Sequence, residues 1–495
     1  MGFKVESSFL RFLTMGALAS QRVIQAMTAA GLQPIELERY SSSNKIWMTK
    51  VKRLRMPDLL CVRTGLRVEV RAKSKLAIRM SDAPNNPQRR WFANLSADDM
   101  VAFVHCREVN DEFLLAPEPE LFWVRDIQAC PEDQTRLGPP KSASEGSERD
   151  REWPTIVPGQ HGLVIGITGT QIQTRLDSGR SQTYQLRGLN PYIAVNDRFL
   201  GEAQFIAGLP ARKAAFAEVS GRAWDPRPLL NGSPLDRYVA SKALGIVGGA
   251  QDRVALRELL QYEDARVALE AAGSLAKLGD PGGLVEIVAA IMQPREDYLP
   301  MEAVFVLSEQ RTSPLASDAE QALVNIASNN EYGINEIRQA AIWGLGRAGL
   351  KAYRRLLDFL DAENEDERIH AAVAFAPELP SEVVRALVAI LADDNASERK
   401  KSSAAYVLST LLDRRIAVAE LIALARSGND AAKMWARAVL GSLPPEATAQ
   451  ALAGDPLAQE IRPLQLLAPG RNWTRNERVQ ADINTVRQQT IFPAT

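Results

Sequence analysis

The feature that most constrains this chain of 495 residues is an internal repeat in its second half. Three blocks open with Glu336-Ile337-Arg338-Gln339-Ala340-Ala341, Glu367-Arg368-Ile369-His370-Ala371-Ala372 and Glu398-Arg399-Lys400-Lys401-Ser402-Ser403, each 31 residues after the last. Upstream, Asp236-Arg237-Tyr238-Val239-Ala240 matches Asp264-Ala265-Arg266-Val267-Ala268 at a spacing of 28, and Pro300-Met301-Glu302-Ala303-Val304 fills the gap. Each block runs to a Gly or Pro (Gly248, Gly279, Gly349, Pro377) and then to a second apolar segment such as Val254–Leu260 or Val383–Leu391. Two helices per block follow, and a unit that small cannot bury its own apolar face, so the blocks must stack into one continuous core.

This pattern resembles HEAT repeats over residues 233–450, about six units of an α-solenoid. The resemblance implies a curved surface that recruits a protein partner. Residues 451–495 form a polar, weakly helical C-terminal extension.

The first half has a different grammar. Residues 8–30 place Phe9, Leu13, Val23 and Met27 at helical intervals, with Ser7 or Ser8 to cap the start and Gly31 to end it. Strands are expected at Ile35–Glu38, Leu59–Val62, Met100–Val104 and Glu120–Val124. Another is expected from Leu66, where Val68, Val70 and Ala72 face one way and Arg67, Glu69, Arg71 and Lys73 the other. One helix and about five strands make an α/β domain over residues 1–137. Residues 138–160, rich in Gly, Pro, Ser and charge, read as an exposed linker. Residues 161–232 read as a small β-rich connecting subdomain of hairpins, with a turn at Asp177-Ser178-Gly179. Gly166-Ile167-Thr168-Gly169 lacks the Lys-Ser/Thr ending of a P-loop and is a strand turn.

The net charge of −1 conceals an asymmetry. Residues 45–90 carry 13 Lys and Arg against only Asp58, Glu69 and Asp82. Such a patch attracts the phosphate backbone of nucleic acid, with an affinity that falls as salt rises. Lys50, Lys52, Arg53, Arg55 and Lys75 are candidate contacts. So are Arg89 and Arg90 for phosphates and Trp91 for stacking on a base. The competing reading of Trp91 is core packing, and of the patch a solvated face or one docked on acidic protein.

Chemistry concentrates at Met56-Pro57-Asp58 and, ten residues beyond Asp58, Val68-Glu69-Val70-Arg71-Ala72-Lys73. At one sheet edge, two carboxylates can hold Mg²⁺, a hard cation that prefers oxygen ligands, and a neighbouring side-chain cation can stabilise or orient the water that attacks a phosphodiester. These residues resemble the PD-(D/E)xK nuclease superfamily over roughly residues 1–130. The resemblance implies a restriction-endonuclease-like α/β fold, Mg²⁺ or Mn²⁺ as cofactor, and Asp58 and Glu69 as metal ligands. The lysine of the motif falls at position 71, which is Arg71. Arginine keeps its proton and is bulkier, so Lys73 on the same strand face is the candidate to replace it. A further acid of the motif is Glu6, Glu36 or Glu38.

The chain as a whole is therefore read as multidomain α+β/α: a nuclease-like domain, a β-rich middle and an all-α solenoid. The expected function is metal-dependent phosphodiester hydrolysis or engagement of DNA, with the solenoid as a protein-interaction platform in restriction or phage defence. Two rivals stand beside it: a catalytically inactive DNA-binding scaffold subunit, and a pure protein-interaction chain. His105 and Cys106 are neighbours on a strand, face opposite sides and form no dyad. Three cysteines without a CxxC pair fit a reducing cytoplasm. No apolar stretch approaches the roughly 18 residues of a span, so neither a membrane partner nor a signal peptide is expected.

Overall fold

The computed structural model describes residues 7–37, 54, 56–109, 112–140, 148–329, 335–346, 350–375, 379–411 and 413–467. The chain divides into two compact units that meet in sequence at Pro228 and Leu229. One is rich in sheet and the other is helical.

The N-terminal unit opens with helix α1 (Ser7–Ala29). Gly31 ends it at φ 78°, and the Leu32 and Gly31 N–H groups donate back to the Met27 and Thr28 carbonyls, which satisfies the last turn. Strands β1 (Pro34–Glu36), β2 (Leu59–Cys61) and β3 (Arg67–Lys73) then form an antiparallel meander. Strand β4 (Ile78–Asp82) leaves for a second sheet, and β5 (Met100–Val109) returns parallel to β3. β6 (Glu112–Leu115) and β7 (Glu120–Trp123) both pair antiparallel with β5, and helix α2 (Val124–Gln128) follows.

This sheet is buried on both faces. Leu59, Cys61, Val68, Val70, Met100, Ala102, Val104 and Cys106 meet Ala19, Val23 and Met27 of α1. Val101, Phe103 and Phe122 lie in the opposite core with Trp91, Trp153 and Phe205. Double burial is why β5 begins as an unbroken apolar run.

The segment read as a linker takes in the end of β8 (Arg136–Pro140), all of β9 (Arg149–Trp153) and a short strand after it, and β8 and β9 join β4 in the order β4-β9-β8. Trp153 is 2% exposed. Composition misled here because the charges of β9 are satisfied internally: Arg151 Nε lies 2.6 Å from Oδ2 of the fully buried Asp82. The chain continues through β10 (Thr155–Ile156), β11 (Gly162–Ile167), β12 (Gln171–Leu176), β13 (Ser181–Gln185), β14 (Asn190–Pro191), β15 (Arg198–Phe199) and β16 (Ala207–Gly208). The expected hairpins are present as the sheet β13-β12-β11-β15. They gather round a core of their own with Val164, Ile172, Leu176, Leu186 and Phe199, while Phe205 and Leu209, further along, pack in the core beneath the main sheet. The boundaries at 137 and 160 therefore dissolve into one unit that runs on to Pro228.

The helical unit comprises α3 (Pro234–Val247), α4 (Arg253–Glu258), α5 (Ala265–Lys277), α6 (Pro281–Met292), α7 (Leu299–Ser308), α8 (Ala316–Ser328), α9 (Asn335–Leu345), α10 (Leu350–Phe359), α11 (Glu365–Ala374), α12 (Ser381–Ala392), α13 (Glu398–Ser409), α14 (Arg415–Ser427), α15 (Asp430–Ser442), α16 (Pro445–Ala449) and α17 (Ala458–Leu467). Caps punctuate it: Ser233, Asp264, Asp280, Asn364, Ser397 and Asn429 each accept from first-turn N–H groups. Odd-numbered helices from α3 to α15 stack on one another, and even-numbered helices pack beside them. Ion pairs stitch successive pairs together, Lys277 to Glu309 at 2.9 Å and Arg338 to Glu367 at 3.0 Å. α17 packs on α15, so part of the C-terminal extension continues the stack. Among the described residues, no helix is long and apolar enough to cross a membrane.

The turn between β2 and β3 sets the register that matters below. Gly65 sits there at φ 69°, and a Cβ on it would come within 2.6 Å of the Trp224 ring. Gly65→Ala should therefore cost about 2–4 kcal/mol in urea unfolding, from left-handed backbone strain and overpacking together. Gly159→Ala, with open space around it, should stay within about 0.5 kcal/mol of wild type.

Candidate functional site

The antiparallel register pairs Leu59 with Val68 and Leu60 with Arg67. Asp58 sits at the bend just before β2, where this register, continued by one residue, comes to Glu69. The Val70 N–H donates to Asp58 Oδ2 at 2.7 Å, which fixes this carboxylate against β3. Leu59 and Val68 point toward α1, so Glu69 stands on the other face of the sheet, while the Asp58 carboxylate turns onto the β3 backbone at Val70.

The outward row of β3 is Arg67, Glu69, Arg71 and Lys73. Arg67 Nη2 lies 2.9 Å from Asp99 Oδ2, an acid that also caps the Ser96 N–H. Arg71 Nη2 lies 2.7 Å from Glu69 Oε1. The guanidinium at the motif's lysine position thus rests on the expected metal ligand. Lys73 Nζ donates to the Arg79 carbonyl at 2.5 Å, which commits one of its three donors to the neighbouring strand β4.

Two carboxylates suit Mg²⁺, which is commonly held by one or two carboxylates plus waters and substrate phosphates. Among the described residues no group of three or more His, Cys, Asp and Glu could hold a metal ion. Glu36 does not extend the pair: its register partner is Leu59, so it lies on the α1 face. Glu6 and Glu38, like Lys50, Lys52, Arg53 and Arg55, lie outside the described residues.

The remaining basic candidates divide. Lys75 is exposed at the end of β3. Arg89 pairs with Glu148 at 3.2 Å but keeps 46% of its side chain exposed. Arg90 is drawn inward, its Nε 3.2 Å from Asp82 and its Nη2 3.0 Å from Glu132. Trp91 is no platform standing out from a loop. It is 6% exposed and packs edge-to-face on Phe92 and Trp153, with centroids 5.1 and 5.4 Å apart. The apolar force that buries a large ring outweighed its polar sequence neighbours. Sequence reasoning missed Glu148 and Glu132 as the partners of Arg89 and Arg90, and Arg151 as the second cation on Asp82, because each is brought in from far along the chain.

No family model and no curated protein matches the sequence. Among solved structures, an engineered protein is 16% identical and covers 54% of this chain and 87% of its own, with a TM-score of 0.23. Human deoxyhypusine hydroxylase in complex with glycerol is 18% identical, covering 50% of this chain and 95% of that one at a TM-score of 0.21. A second engineered protein is 23% identical, covering 48% and 98% at 0.17. Likenesses at these scores bear on neither fold nor function.

Thiol chemistry finds no support in the geometry. Cys106 faces α1, and burial pushes its thiol up to about 12, while His105 faces the other way with Nε2 3.1 Å from the Ser74 carbonyl. Burial likewise raises Cys130 to about 11. Glu120 of β7 is a buried acid whose carboxyl is raised by burial against the pull of Lys213, 3.0 Å away. It also accepts from the Phe205 N–H at 3.1 Å and so ties residues 205–213 across the sheet.

Because the folded value of Glu120 lies above the unfolded one, its contribution to stability is complete below about pH 4.3 and declines as pH rises through the folded value. Glu120→Gln abolishes that decline. Urea midpoints measured from pH 4 to 7 should show wild type losing stability relative to this variant as pH rises.

Proposed function

We propose that the N-terminal unit is a PD-(D/E)xK-like domain that engages DNA and hydrolyses its phosphodiester bonds with Mg²⁺ or Mn²⁺. The helical unit is a HEAT-type platform that docks a protein partner in a restriction or phage-defence setting. The observation that carries the first half is the hold of the Val70 N–H on Asp58, which brings that carboxylate to β3 one residue from Glu69. The paired, stacked helices support the second half.

In this reading Asp58 and Glu69 are the residues that would hold the metal, which when bound would supply charge neutralisation at the phosphoryl group. Arg71 and Lys73, on the same strand face, favour the negative charge that develops on the scissile phosphate. The basic residues around them position the backbone and carry no sequence information.

The Arg71–Glu69 contact favours a second reading, in which the domain binds DNA as a catalytically inactive scaffold. A guanidinium keeps its proton and competes with the metal for Glu69.

DNA cleavage with Mg²⁺ and then Mn²⁺ separates the two, on linear and supercoiled substrates. Catalysis predicts cleavage by wild type that is lost in Asp58→Ala and Glu69→Ala and reduced in Lys73→Ala, with Arg71→Lys at least as active. The scaffold predicts no cleavage, with binding that weakens by orders of magnitude between about 50 and 200 mM salt. Absence of any nucleic-acid binding at low salt overturns both and leaves a protein-interaction chain.

A further inference from the structure

We propose that the N-terminal unit carries a pocket for one unstacked nucleobase, walled by Arg90, Trp91, Phe92, Glu132, Arg151 and Trp153. The proposal rests on the nucleic-acid reading above and adds what the site would grip besides phosphate.

These residues enclose a cavity of about 230 Å³, below the roughly 300–1,000 Å³ of sites for drug-sized ligands. It has room for a single heterocycle rather than a whole nucleotide. Its walls are aromatic on one side: Trp91 contacts both Phe92 and Trp153, and the Arg90 guanidinium lies over the Phe92 ring at 5.2 Å. Its polar side is prearranged. Arg151 is 5% exposed, with Nε on Asp82 Oδ2 at 2.6 Å and Nη1 donating to Thr135 Oγ1 at 2.7 Å.

Charge decides which ligand fits. Arg90 and Arg151 face Asp82, whose second oxygen also accepts from the Trp91 N–H at 3.2 Å, and Glu132. Two cations against two carboxylates leave the cavity near neutrality, so a bare phosphate gains little there. A neutral planar ring with donor and acceptor edges gains aromatic contact, guanidinium donors and the Glu132 acceptor together. Exposed Arg136, next to Thr135, and Arg89, next to Arg90, lie in sequence beside the pocket's walls and supply cations for the phosphates flanking such a base. A base reaches a pocket of this kind only from a single strand or after extrusion from a duplex.

The test compares full-length protein binding to a short oligothymidylate and to an abasic strand with the same number of phosphates, at low salt. Wild type should prefer the strand with bases by about fivefold or more. Gln128→Trp, at an exposed position of the cavity wall, and Cys130→Phe, less exposed, should erase the preference while leaving affinity for the abasic strand unchanged, with urea midpoints of both variants checked against wild type. Equal affinity of wild type for the two strands, or a preference that survives Gln128→Trp, overturns the pocket and leaves phosphate binding standing. If neither strand binds, the nucleic-acid reading falls and the pocket falls with it.

Discussion

Strand β3 is hydrogen-bonded on both sides, antiparallel to β2 and parallel to β5, and the N-terminal unit is organised around that double pairing. With both edges taken, its side chains have two destinations only. Val68 and Val70 go under α1, and Arg67, Glu69, Arg71 and Lys73 go to the other face. A slip of one residue against β2 would exchange the two sets and drive four charges into the core. The burial that stabilises the sheet thereby also fixes the face on which Glu69 and Arg71 stand.

A second constraint is the solvation of charge. The basic excess of residues 45–90 suggests a surface open to polyanions, yet within the fold several of its members have been claimed. Arg67 belongs to Asp99, Arg71 to Glu69, and Arg90 to Asp82 and Glu132. Asp82, fully buried, holds Arg151 and Arg90 and joins β4 to β9. Removing one member of such a group leaves an uncompensated buried charge, so it specifies the arrangement of these strands as much as it stabilises them.

What the sequence disclosed follows from the range of the forces involved. The alternation along Arg67–Lys73, the turn at Asp177–Gly179 and the helical repeats are local patterns, and each element lies where its periodicity places it. Partnerships across distance were not readable: nothing near Arg151 announces Asp82, 69 residues earlier, and without that partner the segment looks like solvated linker. Trp91 was ambiguous for the same reason, since its fate depended on Trp153. At the candidate site the acids were legible from spacing. The hold of Arg71 on Glu69 was not, because residues two apart on a strand share a face without being obliged to touch.

The helical unit has its principal contacts between each helix and the next, or the next but one. Such a stack behaves as interfaces in series. A displacement imposed at one end is divided among all of them, each yielding by a small rotation while the pairs themselves stay folded. Compliance therefore grows with the number of pairs, and the stack as a whole bends more readily than any one of its pairs, as a flexible ruler bends along its length.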